Sequence, residues 1–424
     1  KKKMFITGLA DPKKEELRFA GTSILAIINN RLPEGLTVGQ GGEMSSSDTF
    51  SSFRPAIAGT RHMVVAGHYL AAHAGFEILE SGGNAIDAGC AAGIALGVLQ
   101  SDMVNIAGVA PIILYHADTQ KVITISGLGA WPRSIPDEYF IANYDGHIPE
   151  DILRTVVPAA PDAWITALER FGTMTFSEVA AAAIRFATEG FVMYPLMSDL
   201  IKANAEDFSR WESNKEIYLP GGMAPKVGEL FVQSDLGKTL QYMADEENAT
   251  TGNRIDGLCA ARNAFYRGDI AEKIVKYHKE NGGFLSFDDL SEFKVGVEDP
   301  VEITFLGTTV YTCGPWCQGP TLLQCLRLLE QIDLQNMGRN SSAYIHSLTE
   351  AIKLSFADRH FYYGDPKFVD VPIDVLISKK YGDMRRKLIR EQEAWPGMPP
   401  AQYHQHHTLH DLPSLSVQAT QTAV

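Results

Sequence analysis

Several features that define other protein classes are scarce in this sequence of 424 residues. It has only five cysteines, an odd number with irregular spacing, which is not the pattern of a disulfide-stapled secreted domain. A reducing compartment is therefore expected, and a cytoplasmic location is favoured over a periplasmic one. No run approaches the ~18 consecutive apolar residues that a membrane-spanning helix needs, so no membrane partner is expected.

Positively charged residues are also few compared with negatively charged ones. The chain has 37 Lys and Arg against 51 Asp and Glu, a formal net charge of −14. Proteins that bind nucleic acid normally concentrate Lys and Arg on one surface, so the balance argues against a nucleic-acid partner. No glycine-rich phosphate loop stands between a strand and a helix, and no cofactor is expected.

Metal ligands with suitable spacing are missing as well. Cys313 and Cys317 have no second Cys or His pair nearby to complete a tetrahedral zinc site. Four histidines near the end of the chain are candidate ligands, but a solvated polar tail is the favoured interpretation because nothing rigid holds them. These are His404, His406, His407 and His410.

What is present is ordinary globular composition, 45% hydrophobic and 21% charged. No Gly/Ser- or Pro-rich linker divides the first 390 residues. We therefore predict an N-terminal extension over residues 1–60, one core over 61–390, and a flexible tail over 391–424 whose composition is polar and without periodicity.

Helical and strand patterns alternate along the core. Apolar spacing predicts a helix over residues 69–80, stopped by Gly82 and Gly83, and a buried helix over 85–99 that Asn84 can cap. Residues 111–115 and 122–126 read as a hairpin of core strands. Residues 151–290 look mainly helical, strands return over 301–312, and helices are predicted over 320–330 and 342–361. Strands, then helices, then strands predict a mixed α+β fold.

Short motifs along this core resemble the gamma-glutamyltransferase family, in the family's order, over about residues 62–385. They are Gly67-His68-Tyr69-Leu70-Ala71, Gly82-Gly83-Asn84-Ala85-Ile86-Asp87-Ala88, Val157-Pro158 leading to Trp164, Phe171-Gly172-Thr173-Met174, Phe265-Tyr266-Arg267-Gly268, Asn281-Gly282-Gly283 with Asp289-Leu290, and Ala357-Asp358-Arg359 with Gly364-Asp365-Pro366.

The resemblance implies an αββα sandwich of the N-terminal nucleophile hydrolases, made as one precursor. The precursor cuts itself before a threonine, which becomes the first residue of a small subunit and attacks an amide. By this analogy the chain is the large subunit, it carries no catalytic residue, and its partners are the small subunit and a small-molecule amide. Thr420 and Thr422 would then be decoys, because the nucleophile must be an N-terminal residue.

Two segments depart from the family pattern. Where gamma-glutamyl enzymes carry an Arg-Glu-x-Ala-Pro-like run whose arginine binds the substrate carboxylate, residues 126–133 here read Ser-Gly-Leu-Gly-Ala-Trp-Pro-Arg. Arg133 either reaches that carboxylate from a shifted position or is a structural arginine. In the later loop, residues 314–320, Gln318 either bonds a substrate amide or fixes its own loop. Trp131 and Trp316 either wall a pocket for a flat acyl group or pack in the core.

Both departures favour an amide hydrolase or acyl transferase whose substrate is an amide other than glutathione. A true gamma-glutamyltransferase is the alternative of the same class. A non-catalytic scaffold that retains the fold is the alternative of another class.

Overall fold

The structure is a computed structural model that describes residues 57–401 and, as backbone only, the strands Lys2–Met4 and Ala26–Asn29. The tail histidines, Thr420, Thr422 and most of residues 1–60 lie outside this part. The chain divides into two compact units, one from Met4 to Pro300 and one formed by residues 1–3 and 301–424. Each unit is described by itself.

The unit up to Pro300 is mainly helical, with strands that are short. Its helices are α1 (Tyr69–Glu80), α2 (Ala85–Leu99), α3 (Tyr139–Tyr144), α4 (Ala160–Phe171), α5 (Phe176–Thr188), α6 (Pro195–Ala203), α7 (Ala205–Phe208), α8 (Glu212–Tyr218), α9 (Ser234–Ala249), α10 (Arg254–Tyr266), α11 (Asp269–Glu280) and α12 (Phe287–Ser291). Its strands are β2 (Ala26–Asn29), β3 (His62–Val65), β4 (Ile112–His116), β5 (Lys121–Ile125), β6 (Phe191–Val192), β7 (Leu230–Phe231) and β8 (Val297–Glu298). Short 3-10 helices span Ile152–Arg154 and Pro220–Gly222.

The sheets in the described part of this unit are small and antiparallel. The β4–β5 hairpin pairs Ile112 with Ile125, and β8 joins the free side of β5. β2 pairs with β3, and β6 with β7. The predicted hairpin over residues 111–126 is confirmed within one residue at each strand.

The core of this unit lies around α2, whose residues are almost all buried. Small side chains allow close packing here: a Cβ added to Gly93 would lie 2.8 Å from Nε1 of Trp164 on α4. The prediction that this helix is buried on all sides is confirmed, and its cap Asn84 accepts hydrogen bonds from the amides of Ile86 and Asp87.

The unit from Val301 carries the remaining elements. They are the strands β9 (Val301–Phe305) and β10 (Thr308–Thr312) and the helices α13 (Gly319–Leu329), α14 (Ser342–Tyr362), α15 (Ile373–Leu376) and α16 (Lys379–Arg386). β9 and β10 form a hairpin in register Val310 to Ile303, and the strand β1 (Lys2–Met4) lies on the other side of β10. Leu328, Leu329, Ala351 and Leu354 form a buried cluster between α13 and α14.

The mixture of helices and small sheets agrees with the predicted α+β class. The predicted ends of α1 and α2 coincide with the observed ones, and those of α13 and α14 fall within one residue. Helix α10 was not predicted individually, because its charged residues and buried residues do not separate into clear faces.

Candidate substrate-binding segments

The backbone of residues 126–133, called here the arginine segment, is fixed by hydrogen bonds to three other parts of the first unit. The amide of Ser126 donates to the carbonyl of Gly296 at 2.9 Å. The carbonyls of Gly127 and Ala130 accept from the amides of Ala110 and Val157, both at 2.9 Å. Backbone hydrogen bonds to neighbouring stretches therefore hold this segment in place where it leaves strand β5.

Two glycines of the arginine segment, Gly127 and Gly129, are required by close approach. A Cβ added to Gly129 would lie 1.9 Å from the carbonyl oxygen of Val157, which is closer than any two such atoms can stand. The Gly-Leu-Gly-Ala run that departs from the family pattern thus has a packing reason. It brings the backbone of this segment directly against the stretch before α4.

Arg133 ends the arginine segment beside two carboxylates. Its Nη1 donates to Oε2 of Glu292 at 2.6 Å, and its Nε lies 3.8 Å from Oδ1 of Asp289. The Glu292 carboxylate raises the pKa of the Arg133 guanidinium further above its usual value. The Arg133 side chain is 64% exposed, so it reaches solvent while it is ion-paired.

Asp289 is the fixed member of this group. Its side chain is only 2% exposed and accepts from the amide and hydroxyl of Ser286, at 2.9 and 2.7 Å, in the capping box that begins α12. It also accepts the backbone amide of Arg133 at 3.2 Å. The acidic member of a helix capping box therefore also positions the arginine.

Trp131 stands at the surface of the same segment and is 41% exposed. Its ring meets Phe140 of α3 edge-on at 5.5 Å between centroids. Tyr139, next along α3, packs against Phe284 at 5.0 Å. Trp131 thus contacts a group of aromatic rings and is itself partly exposed to solvent.

Trp316 and Gln318 lie in the other unit, in the loop before α13. The amide of Cys317 donates to the carbonyl of Gly314 at 3.2 Å, and the amide of Gly319 donates to the Cys317 sulfur at 3.3 Å. Gln318 is exposed and precedes the first turn of α13 without a side-chain capping bond. Trp316 is partly buried. The structure thus places the four predicted residues in two pairs, one in each compact unit.

An open cavity of about 430 Å³ lies beside this loop in the second unit. Pro315 lines one side, and the stretch from Pro366 to Val371 and Ile373 lines the rest. Phe368 is 85% exposed there, which leaves a large apolar ring in contact with solvent.

A buried ion pair between Arg262 and Asp162 lies next to the backbone that holds the arginine segment. Arg262 of α10 donates through Nε to Oδ1 of Asp162 in α4, and through Nη2 to the carbonyl of Phe293 at 2.7 Å. The other oxygen of Asp162 accepts the amide of Val295 at 2.7 Å. Tyr266 completes the group by donating to the carbonyl of Pro158 at 2.6 Å. This network joins the Val157-Pro158 and Phe265-Tyr266 motifs.

The structure bears on metal sites and on membrane-spanning helices only within the residues that it describes. Within residues 57–401 no group of three or more His, Cys, Asp and Glu is arranged to hold a metal ion. Among the helices of that same part, none is long and apolar enough to cross a membrane.

Comparison with known proteins identifies the family. The sequence model described as Gamma-glutamyltranspeptidase matches residues 71–422, most of the chain. The chain belongs to the gamma-glutamyltranspeptidase family. The family resemblance read from the motifs is confirmed.

The names of relatives within the family state different activities. The chain is 33% identical over 356 residues to the Acylase ACY 1 proenzyme of Pseudomonas sp. (strain SE83), covering 81% of this chain and 61% of the relative. It is 29% identical over 335 residues to the Glutathione hydrolase proenzyme of Escherichia coli (strain K12), covering 78% of this chain and 55% of the relative. The chain thus spans about three fifths of the length of the relatives it matches.

Solved structures of the family share the fold. The Helicobacter pylori gamma-glutamyltranspeptidase matches with a TM-score of 0.73 and 29% identity, over 82% of this chain and 97% of that one. The cephalosporin acylase from Bacillus halodurans matches with a TM-score of 0.68 and 29% identity, over 76% of this chain and 58% of that one. The chain therefore has the α+β fold of this family of N-terminal nucleophile hydrolases, as predicted.

The sequence motifs do not indicate the acidic neighbours of Arg133. They include Asp289 without pointing to its contact with Arg133, and they do not include Glu292. The signal in the sequence is local: Ser286 three residues before Asp289 is a capping-box pattern, which places Asp289 in the first turn of a short helix and Glu292 close to its end. Asp162 and Arg262 were also missed, although a charge on a helix face of alanines and leucines is a sign of a buried pair.

Proposed function

We propose that this chain is the large subunit of an amide hydrolase or acyl transferase that works through a threonine-linked acyl-enzyme. The observation that supports it best is the family match over residues 71–422, together with relatives named as proenzymes. The small subunit would come from the same precursor. In this proposal residues 1–60 are an extension, 61–390 form the large-subunit core, and 391–424 are the tail near the cleavage site.

The lengths of the solved chains support a two-part protein. The chain covers 97% of the Helicobacter pylori chain and 98% of the Pseudomonas nitroreducens chain, but only 58% of the Bacillus halodurans chain. Family members thus occur as chains of about this size and as longer ones. A precursor that separates into two chains accounts for both sizes.

The chemistry explains why such a precursor would be cut. A threonine hydroxyl is a weak nucleophile near neutral pH and needs a base beside it. A free α-amino group, with an ordinary pKa of about 7.7–8, can accept its proton, and cleavage creates that group. The hydroxyl oxygen then bonds to the amide carbon, the amine leaves with a proton, and water or a second amine takes the acyl group. Donors expected on the small subunit would stabilise the oxyanion.

For the substrate, we propose an amide other than glutathione, with Trp131 contacting its acyl group. Trp316 lies in the other unit, and its contact with an acyl group stays a separate prediction. Trp131 presents an exposed ring on a backbone that hydrogen bonds hold in place, which suits a flat apolar group. We assign Arg133 to a polar end of the substrate. Gln318 lies in the other unit, and its bond to a substrate amide stays a separate prediction. True gamma-glutamyl transfer is the second candidate, because glutathione hydrolases are among the relatives.

The test begins with the full-length precursor, purified and followed for self-cleavage by N-terminal sequencing. Turnover is then measured with anilides of an aromatic acid, of a simple aliphatic acid and of γ-glutamate. We expect cleavage before a threonine and the highest kcat/KM for a neutral acyl group. Preference for the γ-glutamyl anilide would select the second candidate. An intact precursor without turnover would select the scaffold.

The same assay tests Trp131. Trp131→Leu should raise KM for the aromatic anilide about tenfold, since a lost aromatic contact costs about 1.4 kcal/mol. Trp211→Leu is the matched control, because Trp211 lies outside the arginine segment and its ring contacts Tyr277 at a tilt, with 6.1 Å between centroids. Equal effects of the two substitutions would remove Trp131 from the acyl site.

The few, irregularly spaced cysteines favour a reducing environment, and we therefore place the enzyme in the cytoplasm rather than the periplasm. Fractionation of cells that produce the natural precursor would test this placement.

A further inference from the structure

The guanidinium of Arg133 is bound by carboxylates of the protein itself. Glu292 makes a short bond of 2.6 Å to Nη1, and Asp289 lies 3.8 Å from Nε. One positive charge therefore faces two negative charges. A substrate carboxylate that approached Arg133 would meet a local excess of negative charge rather than a free arginine.

The two acids differ in how firmly they are held. Asp289 is buried and bonded to Ser286 and to the backbone of Arg133, so it cannot leave without loss of those bonds. Glu292 caps the other end of α12, where its amide donates to the carbonyl of Asp288 at 3.1 Å. Its side chain is 59% exposed, so only the backbone is fixed and the carboxylate can rotate away into solvent.

This difference assigns a role to each residue. Asp289 positions the arginine segment whatever the substrate. Glu292 occupies one of the two nitrogen positions through which arginine binds a carboxylate in the bidentate manner. An acidic substrate that binds through Nη1 and Nη2 must displace Glu292, which weakens its binding, whereas a neutral substrate leaves the pair intact.

We propose that Glu292 is a specificity-determining residue that competes with a substrate carboxylate for Arg133 and so biases the site toward amides with a neutral acyl group. This inference rests on the proposed function. It also explains how an arginine can stand in the altered segment without making the enzyme selective for γ-glutamyl groups.

The test uses the processed, full-length enzyme and two anilides of equal length, glutaryl and pentanoyl, which differ by one carboxylate. The quantity measured is the ratio of kcat/KM for the acidic over the neutral anilide. Glu292→Gln should raise this ratio about three- to fivefold, mainly through a lower KM for the acidic anilide, because glutamine carries no charge with which to compete for the guanidinium. The gain should shrink at about 0.5 M NaCl, where the Debye length is about 4 Å.

Two further variants separate competition from general electrostatics. In an Arg133→Ala background, Glu292→Gln should change the ratio by less than about twofold, because the residue competed for is gone. Glu150→Gln removes the same charge from another exposed pair, with Arg154 at 3.1 Å, and should also leave the ratio within about twofold. Glu292→Ala repeats the test if the glutamine variant is not processed.

An unchanged ratio in both Glu292 variants would overturn the inference, as would an equal rise in the Arg133→Ala background. These outcomes differ from failure of the proposed function, in which the wild-type enzyme hydrolyses neither anilide and the inference falls with it. Hydrolysis of the neutral anilide with no response to Glu292 would leave the proposed function standing and remove Glu292 alone.

Discussion

At the scale of single residues, buried carboxylates hold the loops that carry the family motifs. Asp87, fully buried in the first turn of α2, accepts from the hydroxyl of Thr173 at 2.7 Å and from the amides of Thr173 and Met174. It also accepts the amide of Asn84 at 2.8 Å. A carboxylate with this many donors is satisfied without a counter-ion. The motif residue Asp87 is therefore structural in this chain.

A second buried residue, His278 of α11, gives a prediction for pH. Its ring is buried, its Nε2 lies 3.5 Å from the Thr155 hydroxyl, and its Nδ1 has no partner within residues 57–401. Burial lowers the pKa of His278 below its usual value of about 6.5. The unfolded chain therefore binds this proton more readily, and the free energy of unfolding should fall as the pH drops below about 6.5, by up to about 1.4 kcal/mol per pH unit.

His278→Gln keeps a polar side chain but cannot titrate, so it should lose less stability than the wild type between about pH 7 and pH 5. Urea unfolding at several pH values measures this slope. His73→Gln is the control, because that imidazole is exposed on α1 in the folded protein. Parallel slopes for wild type and His278→Gln would contradict the prediction.

At the scale of elements, helix ends are satisfied both locally and by neighbouring helices. The first turn of α5 shows both. Thr175 and Glu178 form a capping box, in which the Thr175 hydroxyl accepts from the Glu178 amide at 3.2 Å. Glu247 of α9 accepts the amides of Phe176 and Ser177 at 2.8 and 2.6 Å. Burial raises the pKa of Glu247, which is held between the two helices.

Thr175→Ala should lower the free energy of unfolding by about 1 kcal/mol, because the Glu178 amide loses its acceptor. Thr251→Ala, at an exposed threonine in the loop after α9, should change it by less than about 0.5 kcal/mol. Both changes in the free energy of unfolding are measured from the midpoint of urea unfolding, provided that the slope m stays constant. A loss of the same size at Thr251 would show that the cap is not the cause.

At the scale of the whole molecule, stability should be unevenly distributed. Helix α2 is buried along most of its length, whereas α8 has no buried residue. Opening α2 would expose the centre of the core of its unit, so its amides should exchange only through global unfolding. The amides of α8 can exchange through local opening of that helix.

Hydrogen exchange followed by mass spectrometry checks this distribution. Peptides from Ala85–Leu99 should exchange slowest, with a response to low urea that matches global unfolding. Peptides from Glu212–Tyr218 should exchange many times faster, with little response to low urea. Equal protection of the two helices would contradict the expected distribution.

Much of the local structure could be predicted because its causes are local. Gly82 and Gly83 end α1, Asn84 caps α2, and Pro320 lies in the first turn of α13, as the spacing indicated. The hairpin β4–β5 follows from two apolar runs and a short polar turn. The family could be recognised for a related reason, since its motifs are contiguous in the chain.

The sequence by itself determined the family, the α+β class and the ends of the main helices, all of which depend on residues within a few positions of one another. The partners of Arg133 were decided only by the tertiary structure. Glu292 lies 159 residues further along the chain, and its contact with Arg133 exists because α12 and the arginine segment pack together. Periodicity carries no information about such a pairing, since it reports which face of an element is buried but not which element covers it.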